Sequence, residues 1–207
     1  MSVLALALML DWTTAADFSA SATQLSSDVS FLRGLADWSA SIALEQLGVG
    51  TACFVLAFIL ASFVEYWIHR LMHVSPRIGE RHRDHHRRNE GQGVLWEFRD
   101  YVRGSLVVMC LLFFHSWSAG IGWFLGGLVY AAFSAYAHQL QHENPTKCFW
   151  MKMPVHYVHH KYGMWHHNFG LAVDWWDRVF GTYKPVEWLT QDELALRDRS
   201  YFQLRWW

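Results

Sequence analysis

Two long uncharged runs constrain this chain more than any other feature. Leu47–Val64 is eighteen residues without a charged side chain, and a helix there can continue through Tyr66, Trp67 and Ile68. That length meets the requirement for crossing a hydrocarbon core of about 30 Å at 1.5 Å per residue. A buried helix of a soluble domain is the alternative, but such helices rarely stay apolar on every face for this long. A membrane span is the expectation. Gly104–Ala137 is a second uncharged run of thirty-four residues, interrupted only by His115. One straight helix of that length would reach about 50 Å, so a break is required. The small residues of Ser116–Gly122 (SWSAGIG) supply it, predicting a hairpin of two short spans or a re-entrant pair, with Trp117 and Trp123 as interfacial aromatics.

The composition agrees with this reading. Charged residues make up 17% of the 207 and hydrophobic ones 53%, against about 25% charged in a soluble domain. That deficit disfavours disorder, a collagen-like fibre and a nucleic-acid coat, and because Lys plus Arg (17) nearly cancels Asp plus Glu (18) no net field recruits a polyanion. Cys53, Cys110 and Cys148 are far apart with no CxxC spacing, so they read as structural. Val3–Leu10 is apolar but has no basic residue before it, which makes a poor secretory signal and favours a retained segment at the membrane interface. Residues 19–30 read as a linker, and Phe31, Leu35, Trp38 and Ile42 recur at helical spacing. The expected organisation is one domain over 1–207: an N-terminal linker and interfacial helix (1–42), a core (43–185) and a C-terminal tail (186–207). Three spans are expected, or four if an N-terminal segment completes a pair.

Charge sets the orientation. Arg33 is the one basic residue before the first run, facing Asp11, Asp17, Asp28, Asp37 and Glu45, whereas Arg70, Arg77, Arg81, Arg83, Arg87, Arg88, Arg99 and Arg103 crowd the segment after it. By the positive-inside rule that segment is cytoplasmic.

Ten of the thirteen histidines form a duplicated pattern. His69 and His73 make HxxxH; His82, His85 and His86 make HxxHH; His138 and His142 repeat the first motif; His156, His159 and His160 repeat the second. Residues i, i+3 and i+4 share a helix face, so each motif is expected to aim two or three imidazoles at one point. One such pair is commonly surface or core packing, but four clustered at one membrane face point to metal. Neutral imidazole ligates iron, zinc, copper and nickel. A single zinc takes about four ligands, so ten histidines suggest two metals, and spacing leaves di-iron and di-zinc both open.

The order HxxxH, HxxHH, HxxxH, HxxHH, followed by His167–Asn168–Phe169–Gly170 and WDRVFGTY from Trp176 to Tyr183, resembles the fatty acid hydroxylase/sterol desaturase superfamily over residues 45–185. The resemblance implies an all-α fold with a transmembrane helical stem under a cytosolic helical cap. It also implies a di-metal centre held by His69, His73, His82, His85, His86, His138, His142, His156, His159 and His160. Its cofactors would be two iron ions, with zinc as the substitute metal, and dioxygen would be the co-substrate. The implied reaction is hydroxylation or desaturation of a fatty acyl, sterol or carotenoid lipid drawn from the bilayer. No haem-type electron-transfer domain is fused to the chain, so a separate electron-donor protein is expected. The competing class is a non-oxidative membrane metalloprotein, a zinc-dependent hydrolase or a metal transporter. Against these, HExxH is absent and the histidines flank the spans rather than lying within them.

Several residues carry weaker signals. Glu65, one turn before His69, could accept that ring's second N–H or simply reach the headgroup region. Asp84 is expected to pair with neighbouring arginines, and Asp177 to anchor the fold. Arg81, Arg83, Arg87 and Arg88 suit lipid phosphate or an acidic partner, or satisfy the topology rule alone. Nucleic acid is not expected. Residues 192–207 predict a short helix with an aromatic end.

Overall fold

The computed structural model describes residues 26–207, and the expectations for Val3–Leu10 and for residues 19–25 lie outside the described residues. The architecture is all helical, with no strand among the described residues. It comprises α1 (Ser26–Val74), α2 (Glu80–Arg88), α3 (Val94–Cys110), α4 (Trp117–Glu143), α5 (Val155–Lys161), α6 (Trp175–Val179) and α7 (Gln191–Ala195). The chain divides into two compact units, Met1–Gly48 and Val49–Trp207. In the first, residues 26–48 are helical and exposed, including Phe31, Leu35, Trp38 and Ile42. The second holds everything described below.

Two helices, α1 and α4, are long and apolar enough to cross a membrane. The expected third does not qualify: α3 has 17 residues, and Glu97, Arg99, Asp100 and Arg103 charge its first half. Only from Gly104 onward is α3 apolar, continuing through a 3-10 turn at Leu111–Phe114. The helical hairpin forms, with its break at the N-terminal edge of the expected SWSAGIG window. The chain turns at His115 and Ser116, where the extended Ser116 hydroxyl caps α4 by accepting from the Ala119 N–H at 3.2 Å. His115, expected within a span, is exposed at that turn.

Gly120 and Gly122 therefore lie inside α4, and their role is close packing. A Cβ on Gly122 would overlap the Gly50 carbonyl of α1, and one on Gly126 would overlap the Phe54 carbonyl. Small residues four apart let two helix backbones touch, as in membrane helix pairs. Polar side chains join the same pair: the Tyr130 hydroxyl donates to Glu65 Oε2 at 2.6 Å, and Ser134 donates to Glu65 Oε1. The Glu65 carboxylate thus serves α4 and also faces the Ala172 N–H at 3.4 Å. It does not hold His69, because α4 supplies nearer donors.

The segments after α4 pack around Leu140, Cys148, Met151, Met153, Val155 and Val158, so Cys148 is a core residue as expected. Trp176 and Phe180 stack against Phe63 and Tyr66 of α1. The C-terminal segment does form a short helix, α7, with a Thr190/Glu193 capping box. Its final residues then return to α3. The Arg205 and Trp206 carbonyls accept the otherwise orphaned N–H groups of Val94 and Leu95 at 3.1 and 2.8 Å. Asp84 pairs with Arg87 at 2.9 Å on the surface, as expected.

Substituting Gly126→Leu should separate α1 from α4 and destabilise the chain by about 1–3 kcal/mol, read as a lowered midpoint in detergent thermal unfolding. Gly104→Leu, where a Cβ meets nothing within 4 Å, should leave that midpoint unchanged.

Candidate metal centre

The structure gathers all ten predicted histidines, in two groups. His69 and His73 at the end of α1, His82 and His86 of α2 and His159 of α5 form the first. His85 of α2, His142 of α4, and His156 and His160 of α5 form the second. His138 of α4 adjoins the second group, its Nε2 standing 3.2 Å from His85 Nε2. Each motif does aim two imidazoles at one group, as expected, but neither HxxHH aims all three. In α2, His82 and His86 face one group while His85 faces the other; in α5, His156 and His160 face one and His159 the other. The two groups adjoin, with the His86 and His160 rings stacked 3.9 Å apart.

Four rings are fixed by a partner on Nδ1. His69 donates to the Phe169 carbonyl at 2.6 Å, His159 to the His167 carbonyl at 2.7 Å and His85 to the Glu90 carbonyl at 2.9 Å. His138 Nδ1 donates to Glu97 Oε2 at 2.7 Å. A neutral imidazole has one N–H, so each of these rings presents an Nε2 lone pair to its group. His85 and His138 consequently set two lone pairs 3.2 Å apart, which is repulsive without a cation between them. In the first group, His73 Nε2 lies 3.3, 2.9 and 3.0 Å from the Nε2 atoms of His69, His82 and His159.

These separations test the fit of a metal. Nitrogen ligands at about 2.0–2.1 Å from one ion, at tetrahedral to octahedral angles, stand roughly 2.8–3.4 Å from each other. The buried His73 Nδ1, His156 Nδ1 and both His160 nitrogens have no hydrogen-bond partner among the described residues. The histidine groups can therefore hold metal, and the residues present fit it.

Burial keeps the rings neutral, which is the ligating form. It lowers His82 to about 2, His86 and His159 to about 3 and His85 to about 4, with neighbouring imidazoles adding to the effect at each. His156 and His160 are lowered for the same reasons.

Two cavities meet at this site. An apolar one of about 450 Å³ between α1, α3 and α4 is lined by Ala57, Leu60, Val64, Met109 and Ala131, and by His69. A polar one of about 570 Å³ is lined by His69, His82, His85, His138 and His156 together with Arg81, Arg88 and Asp100. Both include His69, Met72, Asp100, Tyr101 and Leu171 in their walls.

Sequence reasoning missed Glu97, which is buried and carries His138 while accepting from the Tyr101 hydroxyl at 2.8 Å. It lies 41 residues from His138, too far for any local spacing to show. The carbonyls of His167 and Phe169 were missed as well, since backbone groups leave no mark in a residue pattern. Neither the His166 nor the His167 ring belongs to either group.

The sequence model of the fatty acid hydroxylase family matches residues 54–182, more than half of the chain and inclusive of all ten histidines. The protein belongs to the fatty acid hydroxylase family. No curated protein and no solved structure matches it. Family and site together define an oxidative, lipid-modifying enzyme of the metal-dependent kind.

The lowered histidines carry a sign for stability. The ordinary value is 6.5, so as pH falls below it the unfolded chain binds protons that the folded chain refuses. Stability of the metal-free protein should then fall as pH drops from 6.5 toward about 3, by about 1.4 kcal/mol per pH unit for each histidine protonated only when unfolded. Thermal unfolding across that range, with and without added metal, checks this. Metal should hold the melting point up until acid displaces it.

Proposed function

We propose that this protein is a multi-pass membrane, non-haem diiron oxidoreductase that uses dioxygen to hydroxylate or desaturate an unactivated C–H bond of a fatty acyl, sterol or carotenoid lipid. The observation that carries the reading is the pair of histidine groups, lone pairs inward, at the wall shared by an apolar and a polar cavity. His69, His73, His82, His86 and His159 would hold one metal, and His85, His138, His142, His156 and His160 the other. Five nitrogens per ion exceed the four that zinc takes and suit iron. Iron bound there supplies the dioxygen and C–H chemistry that no side chain of this protein can perform.

The protein's own part is binding and orientation. The apolar cavity takes up the hydrocarbon of the substrate from the bilayer, and Leu60, Val64 and Met109 exclude water from it. The Nδ1 partners of His69, His85, His138 and His159 keep those Nε2 atoms turned inward. The arginine-rich segment from Arg70 to Arg103 favours a cytoplasmic face for the site. A separate donor protein would deliver electrons there, and the segments beyond α4 would form the cytosolic cap.

The hydrolytic alternative needs a free carboxylate as general base. Three carboxylates in the cavity walls are engaged elsewhere: Glu65 by Tyr130 and Ser134, Glu97 by His138 and Tyr101, and Asp100 by Arg99 and Gln92.

Metal analysis of the detergent-purified protein should give two irons per chain, and cells expressing it should gain one oxygen-dependent change in a lipid class. His85→Ala and His73→Ala should each abolish that change. An unaltered lipid profile in wild-type cells, or full activity in both variants, would overturn the reading.

A further inference from the structure

We propose that the buried segment 167–170, pinned by Asn168 and Asp177, is a positioning element for the first histidine group alone. This rests on the metal reading above and adds an asymmetry between the two ion positions. Two rings of the first group, His159 on α5 and His69 on α1, are far apart in the chain, yet both donate Nδ1–H to carbonyls of this one segment. His167 O serves His159 at 2.7 Å and Phe169 O serves His69 at 2.6 Å.

The residue between those carbonyls sets their directions. Asn168 has φ 61°, the left-handed region that Asn enters more readily than most side chains. Its side chain then ties the segment to Lys184, accepting from that residue's N–H at 2.8 Å and donating to its carbonyl at 3.0 Å. Its own N–H donates to the Thr182 carbonyl at 3.0 Å. Asp177 secures the other end: its carboxylate accepts from the N–H groups of Phe169 and Gly170 at 2.8 and 2.7 Å and from the Thr182 hydroxyl at 2.7 Å. The Thr182 hydroxyl also lies 2.9 Å from Tyr66 Oη on α1, so the clamp is fastened to the helix that carries His69. Asn168 and Asp177 are fully buried.

The fixed rings of the second group do not hang from this segment; the nearest link to that group is Gln141, which accepts from the His156 backbone N–H and donates to the Leu171 carbonyl just beyond it. His138 rests on the Glu97 carboxylate and His85 on the Glu90 carbonyl. Loosening the segment frees His69 and His159 to rotate or change tautomer and leaves the second group intact. Asp177 and Asn168 therefore act through these two rings and touch no ion themselves.

The test is metal uptake. The full chain is purified in detergent, stripped by a chelator and titrated with cobalt(II), followed by visible absorption and equilibrium dialysis. The wild type should take two equivalents. In Asp177→Asn one equivalent should bind about 10–100-fold more weakly while the other keeps its affinity and spectrum. Glu97→Gln should weaken the complementary equivalent, and the double variant should weaken both. Asn168→Gly should repeat the one-sided loss; glycine takes the left-handed backbone freely, so this variant decides the matter if Asp177→Asn does not fold. Equal weakening of both equivalents in the single variants, or no change in either, overturns the proposal. A wild-type chain that binds no cobalt overturns the metal reading and this proposal with it.

Discussion

Imidazoles turned lone pair to lone pair repel one another, and this fold fixes four of the ten with their Nε2 lone pairs turned inward. Each fixed ring has its N–H drawn outward by an acceptor on a different element: a loop carbonyl, a carbonyl after α2, or the carboxylate of Glu97 on α3. Burial keeps the rings neutral, so their mutual repulsion is that of dipoles and not of full charges. The arrangement is nonetheless strained without a cation. A metal held there would couple its binding to folding, as in other sites whose ligands are brought together only by the native structure.

The position of that site depends on how closely α1 and α4 approach. Both end in an HxxxH pair, and Gly50, Gly122 and Gly126 let the two backbones touch, which brings the pairs to the same end of the helix pair. Glu65, Tyr130 and Ser134 then cross-link the helices one to two turns before the histidines. The same pairing, with α3 beside it, walls the apolar cavity that reaches His69. Helix packing, the placing of the histidines and the apolar cavity all depend on one contact. This explains why glycines that resemble hinge residues in the sequence are found in the middle of a helix.

Much of the site was legible in the chain, and the errors have physical causes. The ten histidines carry a periodicity that survives without tertiary information, because it belongs to the helix itself. The expectation of a third span failed because an uncharged window beginning at Gly104 says nothing of the charged turn and a half to which it is joined in α3. Glu65 was matched to His69 by sequence spacing, but Tyr130 and Ser134 arrive from α4 and take the carboxylate. Glu97 and the carbonyls of His167 and Phe169 serve histidines distant in sequence or act through backbone, so no local pattern could disclose them.

The sequence by itself determined which residues the fold gathers and that helices present them: two HxxxH pairs, two HxxHH triplets and two apolar helices adjoining the first member of each set. Tertiary structure alone decided how they are shared out. Successive residues on a helix are rotated by about 100°, so the first and last histidines of HxxHH lie about 40° apart while the middle one falls on the other side. Whether that middle ring joins its neighbours or a second group depends on what stands opposite. Here α2 and α5 lie between the ends of α1 and α4, and each lends two rings to one side and one to the other. Ten histidines thereby become a group of five and a group of four with His138 beside it, a division fixed by packing and not by spacing.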